Sequence, residues 1–409
     1  MNRAARTGAS APVYEADFYA NEFILNPQPH YAAMRELGPV VWLSRHGNYA
    51  VTRFNEAREV LRNHQVFSSA HGVAADQFGC DFMKGNTIAS DPPFHDLMRS
   101  TMGRPLTPKA LEDVRAQIEA EAHALIDRLL RRRSFDGMAD LACHLPLTIV
   151  TQLVGLPEDG RENMLKWAAG GFDIFGVQNE RGKQGGETVK EMRSYIIEQA
   201  VPEQLKPRSW TARIYDLADQ GAIPRDICRL LVRDYIGPSL DTTIAATGQM
   251  LFELGKDPKQ FELLRRDPSL IPNATNEAVR LGSPIRSLTR TVVRDYELGG
   301  VRLPAGARVM VVYASANRDE RKFDNPHRFD VSRARADHVG FGYGIHACAG
   351  MHLARLEMNT AACAGGARCA HRGRNADYRL EQHDLQLRLA AGDAACCVTS
   401  ALTSTSCRS

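Results

Sequence analysis

The stretch FGYGIHACAG, residues 341–350, sets one cysteine among three glycines, with a histidine two positions before it. A cysteine kept only for packing sits among apolar side chains and needs no glycine around it. A disulfide cysteine needs a partner and an oxidising compartment. Glycine lets another body approach the backbone closely. Gly342, Gly344 and Gly350 therefore point to something large and flat lying against this loop.

The 409-residue chain has room for two or three average domains or one large one. At 44% hydrophobic and 24% charged it can bury a sizeable core. A net charge of +3 is too small to mark a nucleic-acid-binding protein. No apolar run approaches the roughly 18 residues of a membrane span. The N-terminal MNRAARTGASAPVYEADFYANEF lacks the apolar core of a signal peptide. These features predict a cytoplasmic protein with reduced thiols, binding neither nucleic acid nor membrane. The cysteines are then not a disulfide framework.

Most of the chain reads as helix. In residues 110–132, Leu111, Val114, Ile118, Ala122, Leu125 and Leu129 recur at three-to-four spacing, the mark of an amphipathic helix. Residues 225–258 are long and largely apolar and read as one helix through the core. Residues 258–284 read as two shorter helices, broken at Asp267-Pro268 and ending before Pro284. Strand-like pieces fall at 39–54 and 289–316, where Gly299-Gly300 signals a hairpin.

Three further patterns bear on chemistry. His95 and Arg99 are four apart and share a helix face, although taken alone two solvated polar residues are the commoner reading of that spacing. Glu277 and Arg280 are three apart in an apolar helix, where a surface ion pair is the commoner reading. Asp241-Thr242-Thr243 lies in the middle of the long apolar stretch. There it is either threonine bonding back to a carbonyl or a proton relay beside a ligand.

Together, in this order, these patterns resemble the cytochrome P450 family of haem-thiolate monooxygenases. Residues 341–350 fit that family's cysteine loop, F-G-x-G-x-H-x-C-x-G, at every fixed position. ANRDERKFDNPHRFD before the loop and LAR after it fit as well, and the likeness runs over about residues 15 to 358. It implies a mainly α fold with small β-sheets, the triangular haem-thiolate prism, as a single domain over 1–358. The flat body is then haem b, with the Cys348 thiolate on its iron pushing electron density toward O–O cleavage. Phe341 and Gly342 would lie against the haem. His95, Arg99, Arg290 and His346 would meet its propionates. Glu277 and Arg280 would be structural, tying their helix to the segment of Asn317 and Arg318 near Phe329.

Asp241 and Thr242 fit the family's acid–alcohol pair, which delivers protons for oxygen activation. The small residues usual before that pair are Pro238 and Ser239 here, and a mid-helix proline predicts a bend. No flavin or iron–sulfur segment is read in the chain. The resemblance therefore implies electrons from a [2Fe-2S] ferredoxin and its NAD(P)H-dependent reductase, with O2 as oxidant. A peroxide-driven enzyme and a haem carrier without turnover are the alternatives. The acid–alcohol pair argues against the first of them.

SSAHGV, FDIFGVQNE, LLVRDYIGPSLDTT and SPIRSLTRT look like the bacterial enzymes that demethylate 4-methoxybenzoate and related aromatic acids. On that likeness the substrate pocket comprises His71, Val73, Phe172, Phe175, Asp234, Gly237, Ile285 and Leu288, with the two phenylalanines holding an aromatic ring. Where the subgroup holds a carboxylate, this chain has His71 for an arginine, and Asp76 falls near the position of a serine. Asp234 replaces a small hydroxyl residue. The expected substrate is thus a small neutral or phenolic aromatic, with His71, Arg233 and Arg286 leaving an acid open.

Residues 359–409 break the pattern. They are rich in Ala, Arg and Gly and carry Cys363, Cys369, Cys396, Cys397 and Cys407. That cysteine spacing is not the spacing of a tetrahedral zinc site. A reading-frame shift near codon 359 is the expectation, with the helix after the cysteine loop shortened.

Overall fold

A computed structural model describes residues 10–132, 134–333 and 337–371, with side chains to residue 365. Helices α1 (Phe94–Met102), α2 (Pro108–Leu129), α3 (Glu158–Asp173), α4 (Glu180–Glu198), α5 (Cys228–Ile236), α6 (Asp241–Lys256), α7 (Ile271–Gly282) and α8 (Met351–His371) build the body of the molecule. Helix α3 lies along α4, α8 along α2, and α6 against α7. This is the mainly α fold with small sheets that the resemblance implied.

Local chemistry accounts for the helix ends. Pro108 opens α2, and the Thr107 hydroxyl caps it by accepting the Ala110 N–H. Leu111, Ile118, Ala122, Leu125, Ile126 and Leu129 are its buried stripe, in agreement with the periodicity.

Strands β1 (Val13–Tyr14), β2 (Val40–Leu43), β3 (Asn48–Val51), β4 (Phe67–Ser68), β5 (Leu288–Val292), β6 (Tyr296–Leu298), β7 (Val301–Leu303) and β8 (Arg308–Val311) form two sheets. The larger runs β1-β2-β3-β8-β5-β4, and β6 pairs with β7. Gly299 and Gly300 both have positive φ, as a two-residue hairpin turn with the right twist requires. Leu288 and Arg290, two apart on β5, share a face and both reach the central cavity.

Residues 225–258 are not one continuous helix. Helix α5 stops at Ile236 and α6 starts at Asp241, with Gly237, Pro238, Ser239 and Leu240 between them. Pro238 has no N–H to continue the ladder. Instead, the Ser239 hydroxyl donates to the Tyr235 carbonyl and the Thr242 hydroxyl donates to the Pro238 carbonyl at 3.0 Å. The predicted bend is therefore a break, and Asp241 and Thr242 open a new helix rather than sitting mid-helix.

Two other expectations change. Gly137–Val154 is long and apolar enough to cross a membrane by length and composition, and half of it is buried within the fold. Ala142, Ile149 and Val150 from it join the main core. Helix α8 continues to His371, with Met358 and Ala364 buried, so it is not cut short at 358. The side chains from 366 onward, Cys369 and the later cysteines included, lie outside the described residues.

Candidate active site

Residues 341–350 fold as a tight loop before α8. Gly342 and Gly344 both have φ of 69°, in the region that favours glycine. A Cβ on Gly344 would also meet the Leu61 carbonyl oxygen at 2.4 Å, so this glycine serves the packing of the Phe54–Arg62 helix against the loop. A Cβ on Gly350 would meet nothing within 4 Å. The Cys348 N–H donates to the Phe341 carbonyl at 2.7 Å, and Arg99 donates to the Ala347 carbonyl. Cys348, Phe341, Gly342 and Gly350 line a cavity of about 270 Å³. Burial pushes the Cys348 thiol up, while the backbone N–H groups of Gly350 and Met351, with Arg99 and Arg355, oppose that shift.

Donors gather on the wall near Cys348. Arg99, Arg290 and His346 line the cavity, and His95 meets His346 edge-on with ring centroids 4.6 Å apart. His95 and Arg290 are 2% and 3% exposed. Nε2 of His95 and Nε2 of His346 are buried and carry no hydrogen bond. Burial, then Arg290, His95 and Arg99, drive the His346 imidazole well below its usual range. These four residues come from α1, β5 and the cysteine loop. Arg99 and Arg290 each give an N–H to a backbone carbonyl, of Ala347 and Thr289, while the Nε2 atoms of the two histidines face no partner. That arrangement suits an anionic group.

The same cavity takes in Phe172 and Phe175, whose ring centroids are 6.2 Å apart, together with Asp234, Gly237, Ile285 and Leu288. Two expected lining residues are elsewhere. His71 is exposed, its carbonyl accepting from the Thr291 hydroxyl. Val73 is fully buried in the core, its carbonyl accepting the Thr289 N–H. Around Val73 the chain runs through turns and bends held to β5 by that carbonyl, and Val73 does not line the cavity. Arg286 also points away, donating to the Ile24 carbonyl. Asp76 caps the Gln77–Met83 helix through the Gly79 N–H.

Thr87 and Arg233 line the cavity as well, and only Arg233 was singled out from the sequence. Thr87 gives both its N–H, at 2.9 Å, and its hydroxyl, at 2.5 Å, to Oδ2 of Asp234. Burial raises the Asp234 carboxyl to about 6 against the pull of these bonds and of Arg233. Thr87 sits within residues 67–91, the stretch before His95 that the sequence predicts as the pocket's variable lid, but no local pattern joins it to a residue 147 positions away.

Thr242 lines the cavity from the first turn of α6. Asp241 beside it is 1% exposed, and its Oδ1 has no partner. Burial, then Asp173, raises its carboxyl to about 8.

Glu277 and Arg280 are buried, not a surface pair. Arg280 binds both carboxylate oxygens at 2.7 and 2.8 Å and reaches the carbonyls of Asn317, Pro326 and Arg328. Asn317 in turn accepts the Val339 N–H, and Val339 lines the cavity. The pair thus braces the segment that leads into the cysteine loop.

A half-buried cysteine loop and an anion-ready donor set around one apolar cavity define a haem-thiolate protein. The chain matches the family model described as Cytochrome P450 over residues 218–364. It is 37% identical over 358 residues to cytochrome P450 CYP199A2 of Rhodopseudomonas palustris, covering 86% of each chain. It is 30% identical to cytochrome P450-terp of a Pseudomonas species, covering 84% of this chain and 85% of that one. The solved structure of Mycobacterium marinum cytochrome P450 CYP268A2 in complex with pseudoionone matches with a TM-score of 0.77 at 26% identity. That match covers 87% of this chain and 92% of the other. The chain belongs to the cytochrome P450 family and is a monooxygenase of the bacterial type, an oxidoreductase that uses haem with an axial cysteine thiolate.

The residues present fit that group. The unpartnered nitrogens of His95 and His346, with Arg99 and Arg290, match two carboxylates. The open space at Gly350 leaves the loop uncrowded beside Cys348.

Proposed function

We propose that this enzyme hydroxylates or O-demethylates a small aromatic substrate, with electrons from a [2Fe-2S] ferredoxin and its NAD(P)H-dependent reductase. The observation that carries the reading is one continuous cavity bearing both Cys348 and the Phe172–Phe175 pair. Cys348 would supply the thiolate that holds haem iron, and His95, Arg99, Arg290 and His346 would hold the propionates. Haem bound there would supply O2 activation, in which two electrons and two protons reduce one oxygen atom to water while the other goes to the substrate.

The protein's own groups set the conditions. Phe172, Phe175, Ile285 and Leu288 hold an aromatic ring and exclude water. Asp241 keeps a proton on its carboxyl at neutral pH because burial disfavours the charged form. The Thr242 hydroxyl, at the cavity wall, positions that proton for delivery. Aromatic substrates are supported by the phenylalanine pair and by the likeness of residues 172–180 and 230–243 to the methoxybenzoate-demethylating enzymes.

The test is the ferrous–CO difference spectrum, followed by ligand titration of the haem band. The thiolate-type long-wavelength band is expected for the wild type and is lost in Cys348→Ala. Methoxyaromatics should shift the resting band. Tight binding of fatty acids or terpenes with no response to methoxyaromatics rules the substrate class out.

We infer that residues 1–358 are the catalytic domain and that 359–409 are the product of a shifted reading frame. The family match ends at residue 364, close to this boundary. Translating the other two frames of the gene downstream of codon 358 tests it. An amphipathic helix followed by strand-like residues is expected in one of them. If neither frame encodes that pattern, the tail is native.

A further inference from the structure

Among the described residues that line the cavity, Asp234 is the only acid. Its two oxygens differ. Oδ2 takes both donors of Thr87, so the carboxyl is anchored from one side. Oδ1 receives no hydrogen bond from the described residues, and Asp234 lines the cavity. The neighbouring Arg233 does not neutralise it by direct contact. Its Nη1 and Nη2 donate to the carbonyls of Phe82 and Lys84. The result is a fixed acceptor in an apolar cavity that also holds Phe172 and Phe175.

A fixed buried acceptor discriminates sharply between ligands. It gains from a donor placed against it and loses when a ligand covers it without one. An anionic ligand group beside it meets repulsion in a low dielectric. We propose that Asp234 is a specificity-determining residue, its Oδ1 accepting a hydrogen bond from a phenolic hydroxyl or aromatic N–H on the substrate. This rests on the aromatic reading above and narrows it to donor-bearing aromatics, against aromatic acids.

The experiment titrates the holoenzyme with 4-methoxyphenol, 1,4-dimethoxybenzene and 4-methoxybenzoate, following the shift of the haem band. In the wild type the phenol should bind about tenfold or more tighter than its methyl ether, the range expected for a hydrogen bond to a charged group. The benzoate should bind weakest. Asp234→Asn keeps an oxygen for Thr87 and turns an amide N–H toward the cavity. The phenol's advantage should vanish there and the benzoate should gain. This reversal is a ratio within one variant, so a general loss of folding does not produce it. Equal affinities for phenol and ether in the wild type overturn the role of Asp234 while leaving the aromatic reading intact. An unchanged ratio in Asp234→Asn overturns it too. No shift from any of the three compounds overturns the aromatic reading itself.

Discussion

Both donors of Thr87 converge on a single oxygen of Asp234, the N–H at 2.9 Å and the hydroxyl at 2.5 Å. A residue of the lid thereby fixes a carboxylate on α5, beside the break in the core helix. Thr87→Val removes the stronger donor without changing the shape. Leaving a buried acceptor short of a partner should cost about 1–3 kcal/mol, read as a lower urea midpoint. The Asp234 carboxyl should also rise above about 6, since a bond favouring its charged form is gone. A midpoint equal to that of the wild type at neutral pH would mean that water replaces the hydroxyl at no cost.

Asp241 makes stability depend on pH in a definite direction. Its carboxyl goes from an ordinary value of 3.8 to about 8 on burial. The folded state therefore holds a proton that the unfolded state releases. The stabilisation is complete below pH 3.8 and is lost as pH rises through about 8. Each such group contributes a slope of at most about 1.4 kcal/mol per pH unit. Glu357, raised to about 8 by burial, acts in the same window. Asp241→Asn should flatten the fall in stability between pH 5 and 8. Denaturant titrations at several pH values check this, and parallel curves for variant and wild type would contradict it.

Thr242→Ala should uncouple reduction from oxidation. NADH consumption continues, while product per NADH falls several-fold and hydrogen peroxide appears. The hydroxyl lost is the one at the cavity wall. Ser239 also lines the cavity, and its hydroxyl donates to the Tyr235 carbonyl as that of Thr242 donates to the Pro238 carbonyl, so Ser239 is the neighbouring hydroxyl to test next. Undiminished product per NADH in the variant would move the role to another group.

Glu277→Ala strands the Arg280 guanidinium in a site where that residue has no exposure. Breaking such a pair costs about 3–5 kcal/mol. Because Arg280 also holds the carbonyls of Asn317, Pro326 and Arg328, the damage should reach the cysteine loop as lost haem retention. Haem content per protein after purification is the measurement. Full occupancy with an unshifted unfolding midpoint would falsify the bracing role.

The sequence by itself determined the chemistry-bearing core. The spacing of Phe341, Gly342, His346 and Cys348 is local, and so are the four-residue step from His95 to Arg99 and the adjacency of Asp241 to Thr242. Patterns within one loop or one helix turn survive translation into structure because backbone geometry alone carries them. Only the tertiary structure decided what depends on distant partners. Spacing alone reads Glu277 and Arg280 as a surface pair; the resemblance implied a structural tie, and burial against the 317–328 segment is what makes them a brace. His71 and Val73 lie within residues 67–91, but their carbonyls pair with Thr291 and Thr289 of β5, and neither residue lines the cavity. Pro238 predicts a bend, and the hydroxyls of Ser239 and Thr242 take up carbonyls across a full break. Thr87 and Asp234 share no periodicity. Their contact exists because folding carries the lid onto α5, where an unpaired buried carboxylate is costly and a nearby hydroxyl relieves it.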